Sequence, residues 1–358
     1  MGINGFTKFY KNIIEKKDLK LLSGKIVVVD VMLKLYKCCL GKMINGTDEI
    51  NSDGKIISHI VSLFDFTNKL LDRGIFPVYV FDGKSDELKS NTIEKRKKKN
   101  VKSINKFSKN NKLDKSNFYV DTKQINECKQ LLKYMGIPYV ESVGEADQQC
   151  AAIASYYKEQ VMGILSDDSD MLVFGGTKLL KDFNLKNNSV DIIDRKSILK
   201  LLLDLANKIR IDNGLSEILQ IHHDNFIDFS IFMGSDYKNN TYGCKLKGIK
   251  PDKIFEAYVI NDFDVENTIT YLQNEYSIIS DGFINSFNKI KTMYKKSEVI
   301  HPNQINIMPN KINIEKLIDF LCHKNGFNNK YTINKINKFS DNINKFKYAV
   351  ETNKLKII

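Results

Sequence analysis

Three short runs of consecutive apolar residues, each ending in acids, punctuate the first half of the chain. Lys25–Val29 (KIVVV) leads into Asp30, Pro77–Phe81 (PVYVF) into Asp82, and Val161–Leu165 (VMGIL) into Ser166-Asp167-Asp168-Ser169-Asp170. Unbroken runs of this length, rich in β-branched residues, predict strands covered on both faces, as in a parallel sheet. Between them the apolar positions shift to helical spacing, in Ser58–Leu71 and in Asn126–Met135, which Gly136 closes with Pro138 beyond. Strands alternating with helices predict an α/β fold with a mostly parallel central sheet covered by helices. Ligands of such sheets bind beyond the carboxyl ends of the strands, so all three runs would deliver acids to one rim.

The pattern fails at Glu94–Asn117, which is dominated by Lys, Asn and Ser. So few apolar anchors predict a mobile basic insertion, partly helical at its start. Asn225–Met233 (NFIDFSIFM) reads as a buried helix leading to Gly234-Ser235-Asp236-Tyr237. A polar loop follows, then Gly248-Ile249-Lys250-Pro251 and a helix from Asp252 to about Ile260. From about Asn310 the chain is expected to be helical.

Composition narrows the picture only a little. With 358 residues, 42% hydrophobic and 27% charged, ordinary globular folding is expected. A formal net charge of +12 and a pI near 9.1 suit a polyanionic partner, an acidic membrane surface, or simple solubility. No stretch reaches the roughly eighteen apolar residues of a membrane span, so no membrane is expected among the partners. The first twenty residues lack a signal-peptide pattern, and Phe6 stands where a myristoylation motif wants Ser or Thr. Six cysteines without paired spacing predict buried thiols in a reducing compartment. The adjacent pairs His222-His223 and Cys322-His323 are wrongly spaced for zinc.

The chemistry is in the acids. Asp30, Asp82, Asp168 and Asp170 follow strands, Glu145 and Asp147 open a helix, and Asp236 follows a buried helix. Converging carboxylates repel one another unless a cation neutralises them. Oxygen ligands without His or Cys select Mg²⁺ or Mn²⁺, and a pair of such ions serves in-line phosphodiester hydrolysis. Any one Asp after a strand is more often a turn residue or helix cap. Several on one sheet shift the balance toward metal-dependent phosphoryl chemistry, without naming a substrate.

Taken in order, Met1-Gly2-Ile3-Asn4-Gly5-Phe6, Val29-Asp30, Val80-Phe81-Asp82-Gly83-Lys84, Met135-Gly136-Ile137-Pro138-Tyr139, Glu145-Ala146-Asp147, Asp168-Ser169-Asp170 and Gly234-Ser235-Asp236-Tyr237 resemble the motifs of the flap endonucleases. The resemblance runs from the first residue to at least Phe327. It implies a Mg²⁺-dependent 5′ flap endonuclease acting in DNA replication and repair. It matches Asp30, Asp82, Glu145, Asp147, Asp168, Asp170 and Asp236 to the acids that hold two Mg²⁺ ions, with Mn²⁺ able to substitute. Lys89 and Arg96 match the two basic residues of the arch helix that reach the scissile phosphate. Their spacing of seven places them on one helix face, although a solvated face is the ordinary reading of such a pair. Tyr36 matches an aromatic on which a base stacks, Gly2 a residue near the DNA junction, and Gly248 and Lys250 the phosphate-binding loop of a helix-two-turn-helix.

Four departures stand out. Lys250 replaces the family's usual second glycine, and the stretch from Tyr237 to Gly248 is longer than usual, which puts the relatives' potassium site in question. Asp147 replaces a glutamate, as in related 5′ exonucleases. No Gln-led tail ending in Phe-Phe is found near the C-terminus, which argues against attachment to a sliding clamp.

The expected organisation is residues 1–93 for the N-terminal part of the nuclease core and 94–120 for the basic arch. Residues 121–265 carry the internal part of the core with the helix-two-turn-helix, and 266–358 a C-terminal helical region. The expected partner is branched DNA with a 5′ flap, the expected state a monomer, and the expected place the nucleus, or a cytoplasmic replication site for a viral genome. A 5′→3′ exonuclease, a junction resolvase, an RNA-processing nuclease and a non-catalytic DNA-binding scaffold are the alternative readings.

Overall fold

The computed structural model describes residues 2–3, 5–83, 120–234, 237, 246, 248–276 and 282–352. The expected arch, residues 94–120, falls almost wholly outside them.

Seven strands form one sheet in the order β1-β7-β6-β5-β2-β3-β4. These are β1 (Glu15–Asp18), β2 (Ile26–Asp30), β3 (Phe76–Phe81), β4 (Tyr139–Glu141), β5 (Val161–Leu165), β6 (Lys178–Asn184) and β7 (Ser189–Asp194). The five from β6 to β4 run parallel, and β7 and β1 extend the sheet antiparallel. Every residue of β2 and β3 is buried, as their unbroken apolar runs require. The antiparallel extension carries no such signal, because β1 is Glu-Lys-Lys-Asp and fully exposed, held by main-chain pairing with β7.

Thirteen α-helices accompany the sheet among the described residues. They are α1 (Phe6–Phe9), α2 (Val31–Asn45), α3 (Ser58–Leu71), α4 (Thr122–Met135), α5 (Ala146–Tyr156), α6 (Asp170–Val173), α7 (Arg195–Asp212), α8 (His223–Met233), α9 (Pro251–Ile260), α10 (Val265–Tyr276), α11 (Phe283–Lys295), α12 (Ile314–Ile318) and α13 (Asn329–Glu351). The predicted start of α4 is four residues late. Asp121 caps it reciprocally with Gln124, and this polar first turn carries no apolar spacing to read. In the C-terminal part Asn310 is not helical. Asn313 caps α12 instead, and the long helix begins only after Asn328.

Two hydrophobic cores result. One joins β2–β5, α2–α5 and the C-terminal segment, where Phe346 of α13 stacks on Phe76 of β3 with ring centroids 4.6 Å apart. The other gathers α7–α11 around the N-terminal Ile3, Phe6 and Tyr10. Neighbouring residues of β6 and β7 divide between them, Leu180 and Ile192 to the first, Leu179 and Ile193 to the second, as strand alternation dictates. The five described cysteines are unpaired, and no described helix is long and apolar enough to cross a membrane.

Candidate active site at the sheet rim

Parallel pairing of β5, β2 and β3 brings their carboxyl ends together. In register, Val29 lies beside Leu165 and Asp30 beside Val80, so Asp30, Asp82 and the Ser166–Asp170 turn leave the sheet along one edge. Asp30 ends β2 and caps α2, accepting a hydrogen bond from Leu33 N (3.3 Å). Asp82 accepts from Ala146 N (2.8 Å) and so holds the N-terminus of α5 against β3. That contact sets Glu145 and Asp147 beside the strand ends, where the helix dipole favours negative charge.

A compact turn makes this approach possible. Gly83 N donates to Gly144 O (2.8 Å), and Ser142 N donates to Phe81 O (3.0 Å). A Cβ on Gly83 would lie 1.9 Å from Ser142 O, so only glycine fits. Across the site, Asp168 Oδ1 accepts from Asp170 N (3.1 Å), and Ser169 Oγ accepts from Ile3 N (3.0 Å). The N-terminal backbone therefore lies over the Asp168 turn. Gly2, at φ 85°, is so close that a Cβ there would sit 2.5 Å from Asp168 Oδ1.

The second core closes the site. Tyr237, fully buried, donates its hydroxyl to Glu145 Oε2 (2.7 Å). Asp30, Asp82, Glu145, Asp147, Asp168 and Asp170 share one electrostatic neighbourhood. Burial raises the pKa of Asp30 well above the usual carboxylate range, and the charges of Asp147, Asp82 and Asp168 push it further. Burial also raises that of the Tyr237 hydroxyl, and Asp147, Glu145 and Asp170 add to the shift.

This donor set consists of hard oxygens whose mutual repulsion a divalent cation would relieve, so its chemistry fits Mg²⁺ or Mn²⁺. Among the described residues no three His, Cys, Asp or Glu side chains are grouped closely enough to hold a metal ion as they stand. Asp236 lies outside the described residues, as do Lys89 and Arg96.

The remaining expected residues take different places. Tyr36 is half-buried on α2. Gly248 and Lys250 are exposed, Gly248 at φ 88° and Lys250 as the residue preceding Pro251 at the start of α9. Helices α8 and α9 pack together through Phe229 and Phe255, with rings 4.8 Å apart. Most of the loop between them lies outside the described residues.

Two site features escaped the residue-by-residue reading. Tyr237 was visible beside Asp236 in a recognised motif, yet nothing local says that its hydroxyl reaches Glu145. Lys37 of α2 ion-pairs with Asp167, which lowers that carboxylate's pKa despite opposing burial. Their separation of 130 residues leaves no sequence signal.

The geometry has counterparts in known proteins. The XPG N-terminal domain matches residues 1–103 and the XPG I-region residues 136–236. Flap endonuclease 1 of Glycine max is 30% identical over 343 residues, covering 92% of this chain and 84% of that protein. Flap endonuclease 1 of Nematostella vectensis is 28% identical over 340 residues, covering 91% and 84%. Among solved structures, the catalytic core of Rad2 in complex with DNA substrate superposes with a TM-score of 0.65 at 26% identity, covering 94% of this chain and 100% of that one. Flap endonuclease-1 from Methanococcus jannaschii shares the fold, with a TM-score of 0.64 at 24% identity over 94% of this chain and 98% of its own.

Proposed function

The chain belongs to the flap endonuclease family, and on that premise we propose that it cleaves 5′ flaps at branched DNA junctions. The reaction is phosphodiester hydrolysis in DNA replication and repair. One observation carries the reading: acids far apart in sequence meet at the carboxyl edge of the sheet, where Asp30 is buried and the charges of Asp147, Asp82 and Asp168 add to the rise in its pKa. Asp30, Asp82, Glu145, Asp147, Asp168, Asp170 and Asp236 are the residues to hold two Mg²⁺ ions, with Mn²⁺ able to substitute. Bound there, such ions neutralise charge on the phosphate and lower the pKa of water.

The chain's own part is positioning. The amide of Ala146 orients Asp82, the hydroxyl of Tyr237 orients Glu145, and the link from Ile3 to Ser169 braces the turn carrying Asp168 and Asp170. Lys89 and Arg96 are assigned to the scissile phosphate, where fixed positive charge offsets charge developing in the transition state. The burial of Gly2 against Asp168 supports placing the N-terminal backbone beside the DNA junction. Exposed Gly248 and Lys250 suit phosphate contacts of the duplex. Tyr36, on the helix that Asp30 caps, suits stacking of the adjoining base. The segment 94–120 is assigned as the arch beside which the flap passes, between core segments 1–93 and 121–265, with 266–358 as the C-terminal helical region. Selection is by shape: a flapped or bent junction can lower its strand to the rim, and continuous duplex cannot. The protein acts as a monomer on branched DNA, in the nucleus or at a cytoplasmic viral replication site.

The test is cleavage of a labelled 5′ flap with Mg²⁺, with EDTA, and by Asp168→Ala. The expected outcome is a rate at least about a thousand-fold lower in both of the latter. Full activity in either would overturn the assignment. Rates on flap, nicked, blunt and four-way DNA separate flap cleavage from exonuclease and resolvase action.

A further inference from the structure

Among the described residues the sheet ends at β4, and no strand pairs with the outer edge of β4. Tyr79 N donates to Pro138 O (3.1 Å) and Ser142 N to Phe81 O (3.0 Å). In a parallel ladder this turns the main-chain groups of Pro138, Val140 and Ser142 toward β3 and those of Tyr139 and Glu141 outward. Among the described residues those outward groups have no main-chain partner.

Beside this edge lies a cleft of about 640 Å³. Its apolar lining includes Ile137, Val140, Ile300 and Ile305, and Lys133, Lys311 and Lys316 are its charged lining. No carboxylate lines it, and none of the three ammonium groups is in an ion pair among the described residues. The wall is firmly built, because Asn310 N donates to Gly136 O (2.8 Å) and Asn313 N to Tyr134 O (2.9 Å), tying the C-terminal segment to the end of α4. Short length and nearby lysines are common ways to protect an edge strand. Protection alone needs neither an apolar floor nor a cavity of this size.

We propose that this cleft docks an extended acidic peptide segment of a partner protein, which adds a strand to β4. Tyr139 and Glu141 offer the main-chain donors and acceptors, and the apolar lining takes alternate side chains of the peptide. The three lysines take its carboxylates, which sets orientation and disfavours basic segments. A DNA strand fits less well, since its sugar-phosphate backbone has no donors to match the outward carbonyls of the edge.

The probe is a labelled peptide alternating Glu and Val, titrated into the full chain and followed by fluorescence anisotropy. Lys133→Glu/Lys311→Glu/Lys316→Glu is expected to weaken binding at least about ten-fold and to gain affinity for the matching Lys–Val peptide. N-methylation of alternate peptide amides is expected to weaken binding comparably, and the bound acidic peptide to slow amide exchange at Tyr139 and Glu141. Flap cleavage by the triple variant should equal that of the parent, which shows that it is folded and separates this proposal from the nuclease assignment. Binding indifferent to the charge reversal or to N-methylation would overturn the proposal. So would displacement of the peptide by a single-stranded oligonucleotide at lower concentration than by unlabelled peptide.

Discussion

The two cores meet at the acids but contribute to them differently. The sheet core is built from runs such as Val27-Val28-Val29 and Val78-Tyr79-Val80-Phe81, and its strands end in the carboxylates themselves. The helical core contributes groups that hold those carboxylates: Tyr237 on Glu145, and Ile3 on the Asp168 turn through Ser169. It also buries charge, with Asp228 paired to Lys291 (2.7 Å) and bonded by Tyr258 (2.8 Å). One side supplies the acids, and the other restricts where they point. Bonds that fix the direction of an acid before a cation arrives raise the affinity of the cluster for it, so the division has a physical use.

Breaking the sheet core should have the largest effect. Phe76→Ala empties a fully buried site and removes the stack on Phe346, and about 3–5 kcal/mol of stability should be lost, read from urea unfolding. An equally stable variant would mean that α13 is not integral to that core. In the helical core, Lys291→Met strands the buried Asp228 carboxylate. About 2–3 kcal/mol should be lost, less than for a fully buried pair because Lys291 is partly exposed, and adding Asp228→Asn should recover part of it.

The seam itself is probed by Tyr237→Phe, which deletes one hydroxyl. Flap cleavage should fall about ten-fold while stability changes by about 1 kcal/mol or less, the mark of a positioning residue. A further effect, read as a dependence on pH, is titration of His223. Burial, with Arg195 nearby, pushes its pKa down to about 4, so the unfolded chain binds the proton more readily than the folded one. Stability should fall as pH drops from about 6.5 toward about 4, by at most about 1.4 kcal/mol per pH unit. Thermal melts of the parent and His223→Gln over that range would show it, and equal slopes would remove His223 from the account.

Much of this was legible along the chain. The apolar runs of β2, β3 and β5 lie within one or two residues of their observed bounds, and Ser58–Leu71 matches to the residue. The acids after those runs could be named because a strand's carboxyl end is a local feature. Strand β1 could not, since Glu15–Asp18 is held by main-chain bonds that leave no hydrophobic trace. Polar caps were equally silent at Asp121 and Asn328, where the helix begins or resumes without an apolar residue to mark it.

Sequence by itself named the acids that follow the core strands, the strands β2, β3 and β5, and the family, because side-chain type and apolar periodicity act over a few residues. Only tertiary structure decided that Tyr237 reaches Glu145, that Gly2 lies on Asp168, that Lys37 meets Asp167 and that no described strand pairs with the outer edge of β4. Those facts depend on the strand order and on how two cores close upon each other. A hydrogen bond between residues a hundred positions apart costs the chain nothing locally, so nothing local records it.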